Sequence, residues 1–190
     1  MKMIGVAAAA AALLGVTAAP AQALYVQGGG GVSFDPSLDY NHVSYPMKTG
    51  WNAGGSIGTD LFFPGLALQG DVFYTHSRYS CCTSSLSSLS VMGDLVYNFE
   101  LPGVPLTPYV GAGIGAADTR YSDPAAPAFS GSQWAFAWQA IAGARWQVAP
   151  TFSIYGEYRY QGASNVTIKG EPDIGNQSNS LTFGVRFDLP

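Results

Sequence analysis

The chain has 190 residues, a length that suits one domain. Charged residues make up only 11% of it, against roughly 25% in a typical soluble domain, while aromatics reach 13% and glycine occurs 24 times. That balance argues against an ordinary soluble fold, and a net charge of −4 with no basic run argues against nucleic acid as a partner.

The first segment reads as a targeting signal. Met1-Lys2-Met3 carries one positive charge, an apolar run follows from Ile4 to Val16, and the stretch closes on Ala21-Gln22-Ala23. An apolar run this short does not span a bilayer comfortably, and the A-x-A ending is a cleavage pattern. A signal peptide over residues 1–23, cut between Ala23 and Leu24, is expected rather than a membrane anchor. No cysteine follows the small residues, so no lipid-anchored start is expected. Residues 24–190 then form the mature domain, with seven basic residues against twelve acidic ones, a net charge of −5.

After Leu24 no apolar run is long enough for a transmembrane helix. Period-2 alternation recurs instead. It predicts strands over about 24–34, 49–61, 66–79, 86–99, 106–117, 133–148, 152–160 and 180–189. Each is near the ~9–11 residues a tilted strand needs to cross a bilayer. Connections after the second, fourth and sixth strands are short and carry Phe63-Pro64-Gly65, Pro102-Gly103 and Ala149-Pro150-Thr151. Those after the first, third, fifth and seventh are longer and polar, spanning 35–48, 80–85, 118–132 and 161–179. Short turns on one side and long loops on the other match periplasmic and extracellular connections.

A soluble sandwich or lipocalin-like barrel also alternates, but it puts charges outside. Here Asp71, Asp94, Arg145, Glu157, Arg159, Arg186 and Asp188 share the glycine- and serine-rich face. The other face is aliphatic, with Trp51, Tyr74, Tyr97, Phe99, Trp134, Trp146, Phe152, Tyr158, Tyr160 and Phe187 placed as interfacial girdles. The expected fold is therefore all-β, an eight-stranded antiparallel up-and-down transmembrane β-barrel.

Thr107-Pro108-Tyr109-Val110-Gly111-Ala112-Gly113-Ile114-Gly115, Tyr155-Gly156-Glu157-Tyr158-Arg159-Tyr160 and the closing Phe183-Gly184-Val185-Arg186-Phe187 occur in the order and spacing of a known group. The mature chain resembles the small eight-stranded outer-membrane barrels of the OmpA-like and opacity-protein superfamily. The resemblance implies an outer-membrane location, contacts with lipid and lipopolysaccharide, folding by the barrel-assembly machinery, and loops open to a host or surface ligand. The ending Phe187-Asp188-Leu189-Pro190 departs from the aromatic final residue usual in that group. Nothing after the eighth strand corresponds to a peptidoglycan-binding domain, so wall anchoring by that route is not expected.

An eight-stranded barrel is filled by side chains. Buried charges persist there only when paired and hydrogen-bonded. Asp71, Asp94, Arg145, Glu157, Arg159 and Arg186 are thus expected to form a lumen charge network. The three arginines should face the acids of the third, fourth and seventh strands. Such a network acts as an ionic plug or, as the rival reading, gates a narrow ion path. Cys81-Cys82 allows a vicinal disulfide or two free thiols, and a metal site would need ligands that the spacing does not supply. His76-Ser77 cannot form a catalytic pair from one strand, because neighbours point to opposite faces. Gly28 to Gly31 lacks the context of a phosphate loop. No enzyme activity, cofactor or metal is expected. The function expected is a structural envelope protein that presents recognition loops, with Tyr40, Tyr45, Tyr121, Phe129, Asn165 and Asn176 on those loops. A narrow pore and, more remotely, a lipid-modifying enzyme are the alternatives.

Overall fold

A computed structural model describes residues 24–34, 38–40, 43–45, 49–78, 85–122, 131–166 and 174–189. Eight long strands make the architecture: β1 (Leu24–Phe34), β2 (Gly50–Asp60), β3 (Leu66–Arg78), β4 (Ser85–Asn98), β5 (Leu106–Ser122), β6 (Gly131–Ala149), β7 (Phe152–Val166) and β8 (Ile174–Leu189). Each pairs antiparallel with its sequence neighbours, and β1 closes the barrel on β8, from Leu24 opposite Leu189 to Phe34 opposite Asn179. Closure leaves this eight-stranded sheet without a free edge. A small ribbon of Leu38–Tyr40 with Val43–Tyr45 stands between β1 and β2.

The strand count, order and short turns agree with the sequence pattern, but three strands are longer than the pattern predicts. β5 continues to Ser122, β7 to Val166, and β8 begins at Ile174. The expected loops after β5 and β7 are correspondingly shorter. Backbone pairing needs no apolar side chain, so the ladder continues after the outward residues have become polar.

Two of the short turns are built alike. Phe63-Pro64-Gly65-Leu66 and Leu101-Pro102-Gly103-Val104 each place proline second and glycine third. Both glycines have φ +79°. Leu66 N donates to Phe63 O at 3.0 Å and Val104 N to Leu101 O at 3.2 Å, the signature of type II turns.

The two faces have opposite chemistry. Trp51, Ile57, Leu68, Val91, Ile114, Phe136, Ile154 and Phe183 are exposed on the outside. Asn52, Gln69, Asp71, Asp94, Gln139, Glu157 and Arg159 are buried in the lumen. A water-soluble barrel has the reverse arrangement; this exterior suits hydrocarbon.

Glycines on the inner face give lumen aromatics their room. A Cβ on Gly58 would overlap the Tyr25 ring. One on Gly54 would come within 2.6 Å of Phe73, on Gly143 within 2.5 Å of Tyr109, and on Gly184 within 2.7 Å of Tyr155. Each ring lies against a strand wall at a position where only glycine admits it.

Candidate functional site: the lumen network

Residues of alternating parity on β3, β4, β6 and β7 meet near the middle of the barrel. Arg159 on β7 is at the centre, its side chain only 4% exposed. Its Nη1 and Nη2 donate to the two carboxylate oxygens of Asp71 at 2.5 and 3.1 Å, the bidentate fork that guanidinium geometry favours. Nε and Nη2 donate to Glu157 Oε1 at 3.2 and 2.9 Å, and Nη1 also donates to Gln139 Oε1 at 3.2 Å. All five N–H donors of the guanidinium are thereby used. The cation also lies 4.2 Å from the centroid of the Phe73 ring, a cation–π contact.

The network continues in both directions. Tyr109 Oη donates to Glu157 Oε2 at 3.0 Å. Gln139 Nε2 donates to Asp94 Oδ1 at 2.6 Å, and Gln69 Nε2 reaches Asp94 Oδ2 at 3.5 Å. Tyr25 Oη closes the chain by donating to Gln69 Oε1 at 3.0 Å. Side chains from six strands, β1 and β3 to β7, are joined across the lumen. Spaces flank the Arg159 cluster, one lined by Thr75, Ser88, Gln161 and Ser178, the other by Gln27, Ser56, Tyr155 and Thr182. Each has room for about one water molecule.

Hydroxyl and amide groups knit the outer part of the seam. Ser33 Oγ and Ser180 Oγ are 3.0 Å apart. Asn52 Nδ2 donates to Val32 O at 2.8 Å, and Thr182 Oγ1 donates to Asn52 Oδ1 at 2.9 Å.

The six charged residues singled out from the sequence do not form one cluster. Asp71, Glu157 and Arg159 meet directly, and Asp94 joins them through Gln139. Arg186 does not face the acids of β3, β4 or β7. It pairs with Asp188 of its own strand at 2.7 Å and stacks 3.5 Å from the Tyr25 ring centroid. Arg145 is half-buried, and among the described residues no carboxylate oxygen lies within 4.0 Å of it. The reason is height. Arg145 and Arg186 lie within four residues of the short-turn ends of β6 and β8, whereas Arg159 is seven residues into β7. Alternation fixes the face of a side chain and leaves its level in the barrel open.

The sequence pattern did not single out Tyr25, Phe73, Tyr109 or Gln139 as network members. Their signal is the glycine on the adjoining strand for the rings, and inward parity for Gln139. Cys81, Cys82, Ala23 and Phe129 lie outside the described residues, as do the side chains of Tyr40, Tyr45, Tyr121, Asn165 and Asn176. His76 points outward, and its Nδ1 lies 2.9 Å from Ser87 Oγ on β4, while Ser77 is buried in the lumen.

A closed antiparallel barrel with an apolar exterior and a hydrogen-bonded polar interior is a membrane-spanning barrel of the outer-membrane class. The chain belongs to the outer membrane protein beta-barrel domain family, whose profile matches residues 7–187. It resides in the outer membrane, in contact with the lipid bilayer. No curated protein matches its sequence.

Among solved structures, Neisserial surface protein A is similar with a TM-score of 0.66 and 20% identity, covering 87% of this chain and 97% of that one. The outer membrane protein OprG from Pseudomonas aeruginosa matches with a TM-score of 0.53 and 11% identity over 89% and 96% of the two chains. Ail, the attachment invasion locus protein of Yersinia pestis, solved with the heparin analogue sucrose octasulfate, matches with a TM-score of 0.52 and 18% identity over 87% and 99%. At these identities the likeness is one of fold.

Proposed function

We propose that this chain is a structural, non-enzymatic protein of the outer membrane, whose closed barrel contributes to envelope integrity and holds recognition loops at the cell surface. The observation that carries this reading is the saturated Arg159 cluster, which ties Asp71, Glu157 and Gln139 together in the middle of the lumen. A guanidinium with five satisfied donors does not leave its place without breaking several charge-assisted bonds at once. The long connections face the exterior and the short turns the periplasm. Loops on a rigid frame are where binding groups concentrate. Ail, with its bound sulfated ligand, supplies a precedent for recognition on this fold.

Biogenesis completes the proposal. Residues 1–23 direct export and are removed between Ala23 and Leu24, the barrel-assembly machinery folds the remainder, and the finished exterior meets lipopolysaccharide. Cys81 and Cys82 form a vicinal disulfide in the oxidising envelope. Mass measurement of the purified protein, with and without reductant, checks both points: loss of residues 1–23, and a gain of two hydrogens on reduction.

Planar-bilayer recording separates the plug from the narrow pore. The unaltered protein is expected to show no reproducible single-channel steps, and Arg159→Ala is expected to introduce them. Steps from the unaltered protein that vanish on replacing Arg145 or Arg159 would establish the pore instead. A loss-of-function strain is expected to gain detergent sensitivity and to lose surface binding.

A further inference from the structure

The rim at the short-turn end carries apolar side chains where the fold alone would place water. Phe62 and Phe63, in the turn after β2, are 74% and 71% exposed. Leu101 and Val104, in the turn after β4, are exposed as well. These turns are neighbours: Asn98 N donates to Gly65 O at 2.6 Å, and Asn98 Nδ2 donates to the same oxygen at 3.2 Å. Across both turns, 61–65 and 99–105, Glu100 is the single charged residue. Their proline–glycine corners are held by backbone bonds, so the side chains have no easy way to fold under the barrel.

The height of the exterior explains what would cover them. On β3 the outward apolar face runs from Leu66 to Tyr74 and stops at His76. Eight steps of a strand tilted by roughly 40° rise about 20 Å. The apolar band of such a barrel is about 25 Å tall, so β3 by itself falls short by about 5 Å. Phe62 and Phe63 stand at the Leu66 end of this strand, away from the polar His76. The patch is also continuous with the lipid-facing belt, since Tyr97 and Phe99 pack edge to face at 4.9 Å between centroids, immediately before Leu101.

We propose that these two turns insert into the adjoining phospholipid leaflet, with Phe62 and Phe63 at the boundary between headgroups and acyl chains. The lipid-facing surface of the barrel then continues around its rim on the β2–β5 flank. The rim is a lipid contact and not a seat for a soluble protein or a second copy. The inference depends on the membrane-spanning fold and is independent of whether the lumen conducts.

Spin labels on the full mature barrel in phosphatidylcholine vesicles test it. Labels are placed at Phe62→Cys and Phe63→Cys after Cys81→Ser and Cys82→Ser. Val72→Cys serves as the lipid reference and Thr49→Cys as the water reference. The expected result is oxygen collision close to the Val72 site and nickel-chelate collision several-fold below the Thr49 site. Leu101→Cys is the companion position should a phenylalanine variant fail to fold. Nickel collision equal to the Thr49 site at both turns overturns the proposal. So does strong spin–spin broadening, which would report a second copy on this face.

Discussion

Replacing Arg159 with methionine is expected to destabilise the barrel by about 3–5 kcal/mol, the range for breaking a buried ion pair from one side. The loss is large because the partners cannot leave. Asp71 and Glu157 are 3% and 2% exposed, and they face each other across the lumen from opposite walls, β3 and β7. Without the guanidinium they become two carboxylates in a water-poor space, and Gln139 loses the donor that fixes its amide. Urea unfolding of the folded barrel in phospholipid, followed by the mobility of unheated samples on denaturing gels, reads the change. Raised salt is expected to leave the difference nearly intact, because buried pairs are screened much less than exposed ones. The combined change Arg159→Met, Asp71→Asn and Glu157→Gln should recover much of the stability, since it removes the uncompensated charges along with the pair. If the single and the triple variant unfold alike, charge compensation is not what holds this layer.

The same residues show how far a sequence can be read. Parity alone placed Asp71, Asp94, Glu157 and Arg159 inside and the girdle aromatics outside, because a strand has only two faces. It also fixed β1 to the residue, where hydrophobic alternation and the strand coincide. What parity does not carry is the stagger between strands. Whether Arg186 reaches Asp71 or stays with Asp188 of its own strand depends on the register of the three strand pairs in between, β8–β1, β1–β2 and β2–β3, and each register is set by contacts in the closed barrel. Tyr25 and Tyr109 were hidden for a related reason. An aromatic residue in a membrane strand reads as a girdle residue until the glycine opposite it, Gly58 or Gly143, is known to lie beneath its ring. The outer ends of β5, β7 and β8 were lost because their outward residues no longer meet lipid, so the alternation that marks a strand fades before the strand ends.

Four glycine-to-alanine changes are expected to divide into two opposite groups. Gly31 and Gly115 face the lumen, and a Cβ on either would overlap a backbone carbonyl of the next strand, Leu181 O or Val91 O. Backbone in a closed ladder does not give way as a flexible side chain does. Gly31→Ala and Gly115→Ala are each expected to cost about 1–3 kcal/mol, the usual range for overpacking. Gly70 and Gly93 face outward as cross-strand partners, and the nearest atom to an added Cβ is 3.9 Å away in both cases. Gly70→Ala and Gly93→Ala are expected to stabilise by about 0.4–1 kcal/mol, because alanine narrows the unfolded ensemble and fits the strand. Gly113 connects this effect to the charged layer: a Cβ there would overlap Asp94 Oδ1 and lie 2.9 Å from Gly93 O. Gly113→Ala should therefore be costly alone, and the cost should shrink when Asp94 is also alanine, a coupling that a double-mutant cycle measures. If glycine served only to keep the strands pliable, all five sites would respond alike and the cycle would be additive. A split by face, with coupling at Asp94, identifies the inner glycines as the space into which the lumen network is packed.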